Sequence, residues 1–316
     1  MDGRYAMQWP QDGLGFTCYA HEIMNFRYNW HEQEYELNIV LKGSAEYCRG
    51  SSMYVLHEDD LILIDPAVGH ASFALDQHTV ALVLRFPAGA FRDFLKPEHL
   101  YSFPGCVCGE KDRFDPRYNR IRYCAASLMT AAGQGGQYAA LGAKSALEML
   151  LATLCTECSP KVVPTLSKED SLHQETIRRI TEYVEANYAE KITLEELSRI
   201  SKYNRTYIST FFKNTMGMNF YEYLTRIRFQ HALFELATTQ KPFTQVAIDN
   251  GFPDLKSFNN RFTETFGRRP AEYRSQVSPH QTVKNIRQMN YLDPSQPLVR
   301  AKLDAYTRLA ADGMGV

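Results

Sequence analysis

The alternation of hydrophobic and polar positions changes character twice along this chain. Between residues 15 and 86 the apolar positions come in short alternating or β-branched runs: Glu36–Leu41, Ser44–Cys48, Met53–Leu56, Asp60–Ile64, Ala71–Leu75 and Thr79–Phe86. Gly, Ser, Asp or Pro separates them, with turn signals at Lys42–Gly43 and Arg49–Gly50. Many short strands at this spacing predict a small barrel or sandwich. Tyr118–Ala132 and Gln137–Cys158 then repeat at helical period, broken into a hairpin by Gly133–Gln–Gly–Gly136. The second helix is apolar over much of its surface, so two packing faces are expected, one against the strands and one either there or on a second subunit. Residues 161–170 read as a linker and 171–275 as nearly continuous helix. Residues 276–316 carry Pro279, Pro294 and Pro297 ahead of a short helix, Leu298–Ala311, with no role legible from the residues.

Within the helical region one segment occurs twice, offset by fifty residues. Phe212, Gly217 and Glu222–Tyr223 recur as Phe262, Gly267 and Glu272–Tyr273. The first copy opens on Thr193-Leu-Glu-Glu196, a capping box in which the Thr side chain and the Glu three residues on satisfy each other's backbone N–H groups. After a break at Ser201–Tyr203, Asn204 suits the cap of a helix that turns Ile208, Phe211 and Phe212 inward and Thr206, Ser209, Thr210 and Lys213 outward. The second copy has Thr244 as its expected cap, Val246 and Ala247 inward, Gly251 at the turn and Asp254 as the next cap. Phe258 and Phe262 face in; Lys256, Asn259, Asn260 and Thr263 face out. Two short helices joined by a tight turn, the second showing small polar and basic residues, are a helix-turn-helix. Glu222 and Glu272 fit structural roles at the helix junctions.

Net charge is −1, which hides an asymmetry: residues 1–169 carry −5 and residues 170–275 carry +2. A modest basic footprint on the duplicated part suits a nucleic-acid partner. No run approaches the ~20 apolar residues of a membrane helix, and Met1–Tyr5 lacks the basic-then-apolar pattern of a signal peptide. A cytoplasmic protein is expected. Seven cysteines argue against a secreted disulfide framework. Cys155-x-x-Cys158 and Cys106-x-Cys108 read either as reduced thiols or as half of a zinc site.

The stretch 192–274 resembles the DNA-binding domain of the AraC/XylS family of bacterial transcription regulators. Leu194-Glu-Glu-Leu197, Tyr207-Ile208, Phe212-Lys213, Gly217, Tyr223-Leu224, Arg228 and Ala232 carry the first half of the match. Ala247, Gly251-Phe252, Phe258, Phe262, Gly267, Pro270 and Tyr273-Arg274 carry the second. Ser198 stands where the family usually has Ala. The resemblance implies two helix-turn-helix units on a rigid central helix at about Phe220–Ala237, each placing a recognition helix in the major groove of double-stranded DNA. By position, base contacts fall on Thr206, Ser209 and Thr210 in the first unit, and on Leu255, Lys256, Asn259 and Asn260 in the second. Leu255 has two readings, a thymine methyl contact or inward packing. Arg205, Lys213, Arg228 and Arg261 are assigned to phosphates. Asn pairs bidentately with adenine whereas Ser and Thr discriminate poorly, so the second unit is expected to supply more of the specificity.

His31-x4-Glu36, Gly43 and Pro66-x-x-Gly69-His70 resemble the two cupin motifs, and a cupin-like barrel often precedes this DNA-binding domain. Asn29 replaces the first His of the cupin metal set. His31, Glu36 and His70 therefore have three readings: an effector pocket without metal, a two-His, one-carboxylate metal face, or satisfied polar groups in a core. Trp30, Tyr47 and Arg49 are further candidate lining residues for a sugar or similar organic ligand. The expected organisation is multidomain α+β. Residues 1–160 form a cupin-like β-barrel with a helical hairpin, for effector binding and pairing; 161–170 link it to an all-α double helix-turn-helix domain, 171–275; and 276–316 are an extension. The implied protein is a homodimeric, ligand-responsive activator that contacts RNA polymerase, with no metal or other cofactor, no catalysis and no membrane. A metal-dependent cupin enzyme with a DNA-binding appendage and a regulator without effector are the alternatives.

Overall fold

The computed structural model describes residues 4–9, 11, 13–23, 29–76, 78–165, 168–267, 269–276 and 290–309. Its strands are β1 (Arg4–Trp9), β2 (Leu14–Glu22), β3 (Glu34–Lys42), β4 (Ser44–Arg49), β5 (Ser52–His57), β6 (Leu61–Ile64), β7 (His70–Ala74), β8 (Val80–Pro87), β9 (His99–Ser102), β10 (Lys161–Pro164) and β11 (Asn290–Leu292). Six make one antiparallel sheet, β1-β2-β8-β3-β6 with β11 continuing the β2 edge beside β1; β5-β4-β7 make a second, and β9-β10 a two-stranded ladder. The expected barrel is a sandwich: the large sheet ends at β6, whose outer edge bonds the loop residues 106–108 and not another strand, and the short strands β4, β5 and β7 form a separate sheet.

Strand alternation sorts the side chains into layers. Leu37, Ile39, Leu82 and Leu84 of the large sheet pack with Ile121, Leu128, Leu147 and Leu150 of α1 (Pro116–Gly133) and α2 (Ala139–Glu157). The opposite parity, Val40, Ile62, Ile64 and Ala81, meets Ala45, Tyr47 and Leu56 of the small sheet. The outer face of the small sheet, Cys48, Ala71 and Phe73, joins the core of the helical domain. The small sheet is thus a wall one strand thick between the sandwich interior and the helices.

The helical domain comprises α3 (Lys168–Asn187), α4 (Leu194–Ser201), α5 (Arg205–Met216), α6 (Phe220–Thr238), α7 (Phe243–Asp249), α8 (Leu255–Phe266) and α9 (Pro270–Gln276). The expected linker is mostly structured: residues 161–164 pair with β9, and α3 begins at 168, because both edges of this connection find backbone partners. The extension returns to the first domain. Its strand β11 pairs with β2, and α10 (Pro297–Arg308) buries Val299, Leu303 and Tyr306 against α1 and the sheet. Lys302 Nζ and the Tyr306 hydroxyl both donate to Asp59 at 2.6 Å. The expected helix at Leu298–Ala311 therefore exists, though residues 310 and 311 lie outside the described residues.

Candidate nucleic-acid interface and sensor site

The capping box is present as the spacing requires: Glu196 N–H donates to Thr193 Oγ1 at 3.3 Å, and Thr193 N–H to Glu196 Oε2 at 2.7 Å. The bonds that the Glu196 carboxylate accepts from the Thr193 N–H and, at 3.1 Å, from the Thr193 hydroxyl hold that carboxyl below its usual range. The turn that follows takes Lys202 through the left-handed region, φ 63°, and the Ser198 hydroxyl donates to the Tyr203 carbonyl across it. Serine in place of the family's alanine thus ties the turn down. Asn204, Asn219 and Asp254 cap α5, α6 and α8 by accepting from Tyr207, Glu222 and Ser257 N–H. Thr244 is not a cap. Pro242 starts α7 with no side-chain bond, its fixed φ already helical in range, which leaves Thr244 inside the first turn.

Ile208, Phe212, Phe258 and Phe262 are fully buried, so the recognition helices α5 and α8 present the faces the sequence assigns. Arg205, Thr206, Ser209, Thr210, Lys213, Lys256 and Asn260 are exposed, and Asn259 is half-buried. Leu255 packs against the helical core, in keeping with its inward reading. Arg205 pairs with Glu195 at 2.8 Å, both side chains largely exposed, a bond weak enough for a phosphate to replace.

Two of the assigned phosphate ligands are committed elsewhere. Arg228 Nε and Nη2 donate to the carbonyls of Tyr188 and Glu190 at 2.7 Å, closing the end of α3, and burial lowers the guanidinium's pKa. Arg261 Nη2 donates to Glu222 Oε1 at 3.1 Å. Glu222 also accepts from Arg226 Nε at 2.6 Å. Burial alone would raise the Glu222 carboxyl, but Arg261 and Arg226 hold it below the ordinary range. Arg226 in turn reaches across the domain boundary, Nη1 to Glu46 Oε2 at 2.7 Å, and lies over the Phe73 ring. Further contacts join the domains. Cys48 Sγ donates to the Met216 carbonyl at 2.9 Å, Gln174 Nε2 to the Ala67 carbonyl at 2.8 Å, and Gly217 sits against the Gly50–Ser51 turn.

Inside the sandwich, ligand atoms of His31, Glu36 and His70 lie within 4.8 Å of one another. Glu36 is the hub. Its Oε2 lies 3.0 Å from His31 Nε2 and 2.9 Å from Arg85 Nε; its Oε1 lies 3.4 Å from His70 Nε2 and 3.0 Å from Asn38 Nδ2. Burial would raise this carboxyl, yet the histidines and Arg85 hold it well below the usual range. His70 Nδ1 lies 3.1 Å from the Val68 carbonyl, which orients the ring so that Nε2 faces Glu36. The Tyr47 hydroxyl is buried without a hydrogen-bond partner among the described residues. Arg85 Nη2 donates to the Tyr19 hydroxyl at 2.7 Å.

Not all candidate lining residues meet here. Trp30 packs against the core of the helical domain. Arg49 ties the two sheets instead, donating to the Leu63 and Pro104 carbonyls at 3.0 and 2.6 Å. Sequence reasoning missed Arg85, Asn38 and Tyr19. The one signal for Arg85 was a lone cation in the apolar strand Val80–Pro87. A donor set of two imidazoles and a carboxylate suits a metal in kind, but Arg85 already places a cation on Glu36 Oε2, which opposes a second one.

A four-layered body of helices, sandwich and duplicated helix-turn-helix defines a two-part regulator class. Comparison with known proteins agrees. Residues 197–276 match the helix-turn-helix domain family, and residues 24–84 match the cupin domain family. The chain is 28% identical over 257 residues to the HTH-type transcriptional regulator YdiP of Escherichia coli, covering 78% of this chain and 80% of that one. An HTH-type transcriptional regulator of Staphylococcus aureus is 28% identical over 108 residues, and the chain spans only 14% of that relative's length. ToxT of Vibrio cholerae aligns over 83% of this chain and 98% of its own at 14% identity, TM-score 0.39. These matches support an AraC-type helix-turn-helix domain behind a cupin domain, the arrangement of a helix-turn-helix transcription regulator.

Proposed function

We propose that this regulator binds promoter DNA through α5 and α8 and responds to a small polar organic effector, of the sugar class, held between its two sheets. The observation that carries the DNA reading is the pair of capped, well-cored recognition helices whose polar faces are left to solvent. Thr206, Ser209, Thr210, Lys256, Asn259 and Asn260 read bases, Arg205 and Lys213 hold phosphates, and Arg228 and Arg261 position helices. The effector reading rests on the buried Tyr47 hydroxyl beside the Glu36 hub, which has no hydrogen-bond partner among the described residues. A polyol would supply that missing bond. Because Tyr47 and Glu46 are neighbours on opposite faces of β4, an occupant that moves β4 changes the Glu46–Arg226 bond. That gives the effector different affinities for the two domain arrangements, as any ligand-driven shift requires.

The outer face of α2 leaves Leu141 and Met149 exposed while Ala143, Leu147 and Leu150 are buried on α1 and the sheet. We assign that face to a second subunit. Its apolarity also makes α2 long and apolar enough to cross a membrane by length and composition, but its inward side is already core. Promoter activation through RNA polymerase and a cytoplasmic location complete the reading. Footprinting on the promoter beside the coding sequence tests DNA binding. A thermal-shift panel of sugars and organic acids tests sensing, since occupancy at 100 times Kd adds about 2.7 kcal/mol; a flat panel rejects those classes. The enzyme reading needs stoichiometric iron, manganese or zinc that is lost in His31→Ala and His70→Ala, and metal analysis decides it.

A further inference from the structure

We propose that Cys106 and Cys158 are a redox modification site that closes reversibly into a disulfide on exposure to a peroxide-class oxidant. The two sulfurs lie 2.7 Å apart, although 52 residues separate them in sequence. Cys106 is fully buried and Cys158, at the end of α2, is 8% exposed, the more accessible residue of the pair. Backbone geometry supports the pairing independently. In the β9–β10 ladder Ser102 sits opposite Lys161. Cys106 follows Ser102 by four residues and Cys158 precedes Lys161 by three, so the two cysteines flank the same end of this ladder.

The chemistry is also divided between the partners. Hydrogen bonding with Cys106 and the nearby charge of Arg117 lower the Cys158 thiol, while the same bond and burial raise that of Cys106. Cys158 is therefore the nucleophile. Its thiolate attacks one peroxide oxygen and breaks the O–O bond; the departing hydroxide leaves as water, and Cys158 becomes a sulfenic acid. Cys106 sulfur then attacks Cys158 sulfur, hydroxide leaves, and the Cys106 proton makes it a second water. Two thiols and one hydrogen peroxide give one disulfide and two waters. The bond fastens the end of α2, and so the start of β10, to the loop after β9. β10 is the segment through which the chain passes to α3, so oxidation would stiffen the exit from the sensor.

The test uses the full chain and needs no DNA or effector, so its outcome is separate from that of the proposed function. Hydrogen peroxide is added, remaining thiols are counted, and non-reducing peptide maps are recorded by mass spectrometry. The expected result is two fewer titratable thiols than the seven of the reduced chain, an intramolecular Cys106–Cys158 peptide, and full recovery with dithiothreitol. Cys155→Ser should retain the cross-link and Cys158→Ser should lose it. Hydrogen exchange in residues 99–102 and 161–164 should slow at least threefold on oxidation. Retention of all seven thiols, a cross-link through Cys155 or between subunits, or unchanged exchange in the ladder would overturn the proposal. Mapping on the unmodified chain decides the pairing even if a variant fails to fold.

Discussion

Arg226 is the point at which the sensor and the DNA-binding domain can be separated energetically. Its side chain is 9% exposed and bridges Glu46 on β4 to Glu222 on its own helix. Removing one partner of a fully buried ion pair costs about 3–5 kcal/mol. Here the Glu46 side chain is 22% exposed, so the Glu46–Arg226 interaction should be worth less, about 2 kcal/mol. That is roughly a thirtyfold change in the ratio of docked to undocked forms. Single substitutions do not isolate it, because Arg226→Ala also removes the Glu222 bond and the packing on Phe73. A double-mutant cycle of Glu46→Ala and Arg226→Ala cancels those terms. Native-state hydrogen exchange in β4 and α6 supplies the free energies, since global unfolding of a two-domain chain need not be two-state. The single variants should each speed exchange at the interface, and the double variant should do so by about 2 kcal/mol less than their sum. A coupling below 0.5 kcal/mol would refute the claim that this bond holds the domains in register.

The other expectations are narrower. Gly217 and Gly267 both lie in the left-handed region, φ 70° and 64°, so Ala at either costs about 1 kcal/mol of backbone strain. A Cβ at 217 would also lie 3.0 Å from the Ser51 carbonyl carbon, whereas none of the described residues lies within 4 Å of a Cβ at 267. Gly217→Ala should therefore be the more destabilising by about 1 kcal/mol, and equal melting temperatures for the two variants would show that the turn yields. Burial pushes His21 down from 6.5 to about 4, against the pull of Glu36. The unfolded chain then binds a proton that the folded one refuses, so stability is full above pH 6.5 and falls towards pH 4, by at most about 3 kcal/mol. Glu36, held below 4.5, adds a further loss below that pH. Urea midpoints across pH 4–7 should show the slope, and His21→Gln should flatten the part above pH 4.5; an unchanged slope would remove His21 as its cause. Asn259→Ala and Asn260→Ala should change the ranking of operator variants by about 1–3 kcal/mol per affected base. Lys213→Ala should instead weaken all operators alike and lower the salt slope of binding by about one; a reversed pattern would exchange the two roles.

The duplicated helix-turn-helix was legible because its signals are local. Thr193, Asn204 and Asp254 act within three residues of themselves, and Phe212 and Phe262 mark the inward face through a period of 3.6. The strands of the sandwich were legible for the same reason, and so was the grouping of His31, Glu36 and His70, which two short motifs carry. Thr244 misled because a hydroxyl near a helix start resembles a cap, while Pro242 sets the start through its backbone alone. Arg49 misled because its residue type suits a pocket and only the neighbouring sheet's carbonyls show it to be a strut.

The chain's own order of residues thus determined the elements, their inward faces and the twofold DNA-reading device. Tertiary structure decided what the charges do. Arg228 and Arg261 look like phosphate ligands until the Tyr188 carbonyl and Glu222 are found beside them, 40 and 39 residues away. Glu46 and Arg226, 180 residues apart, meet only because the outer face of β4 packs on α6. A periodicity reports which side of an element is apolar, and it does so within one turn or one pleat. A long charged side chain takes its role from whatever partner the fold brings within about 3 Å, and that distance is written nowhere in the local sequence.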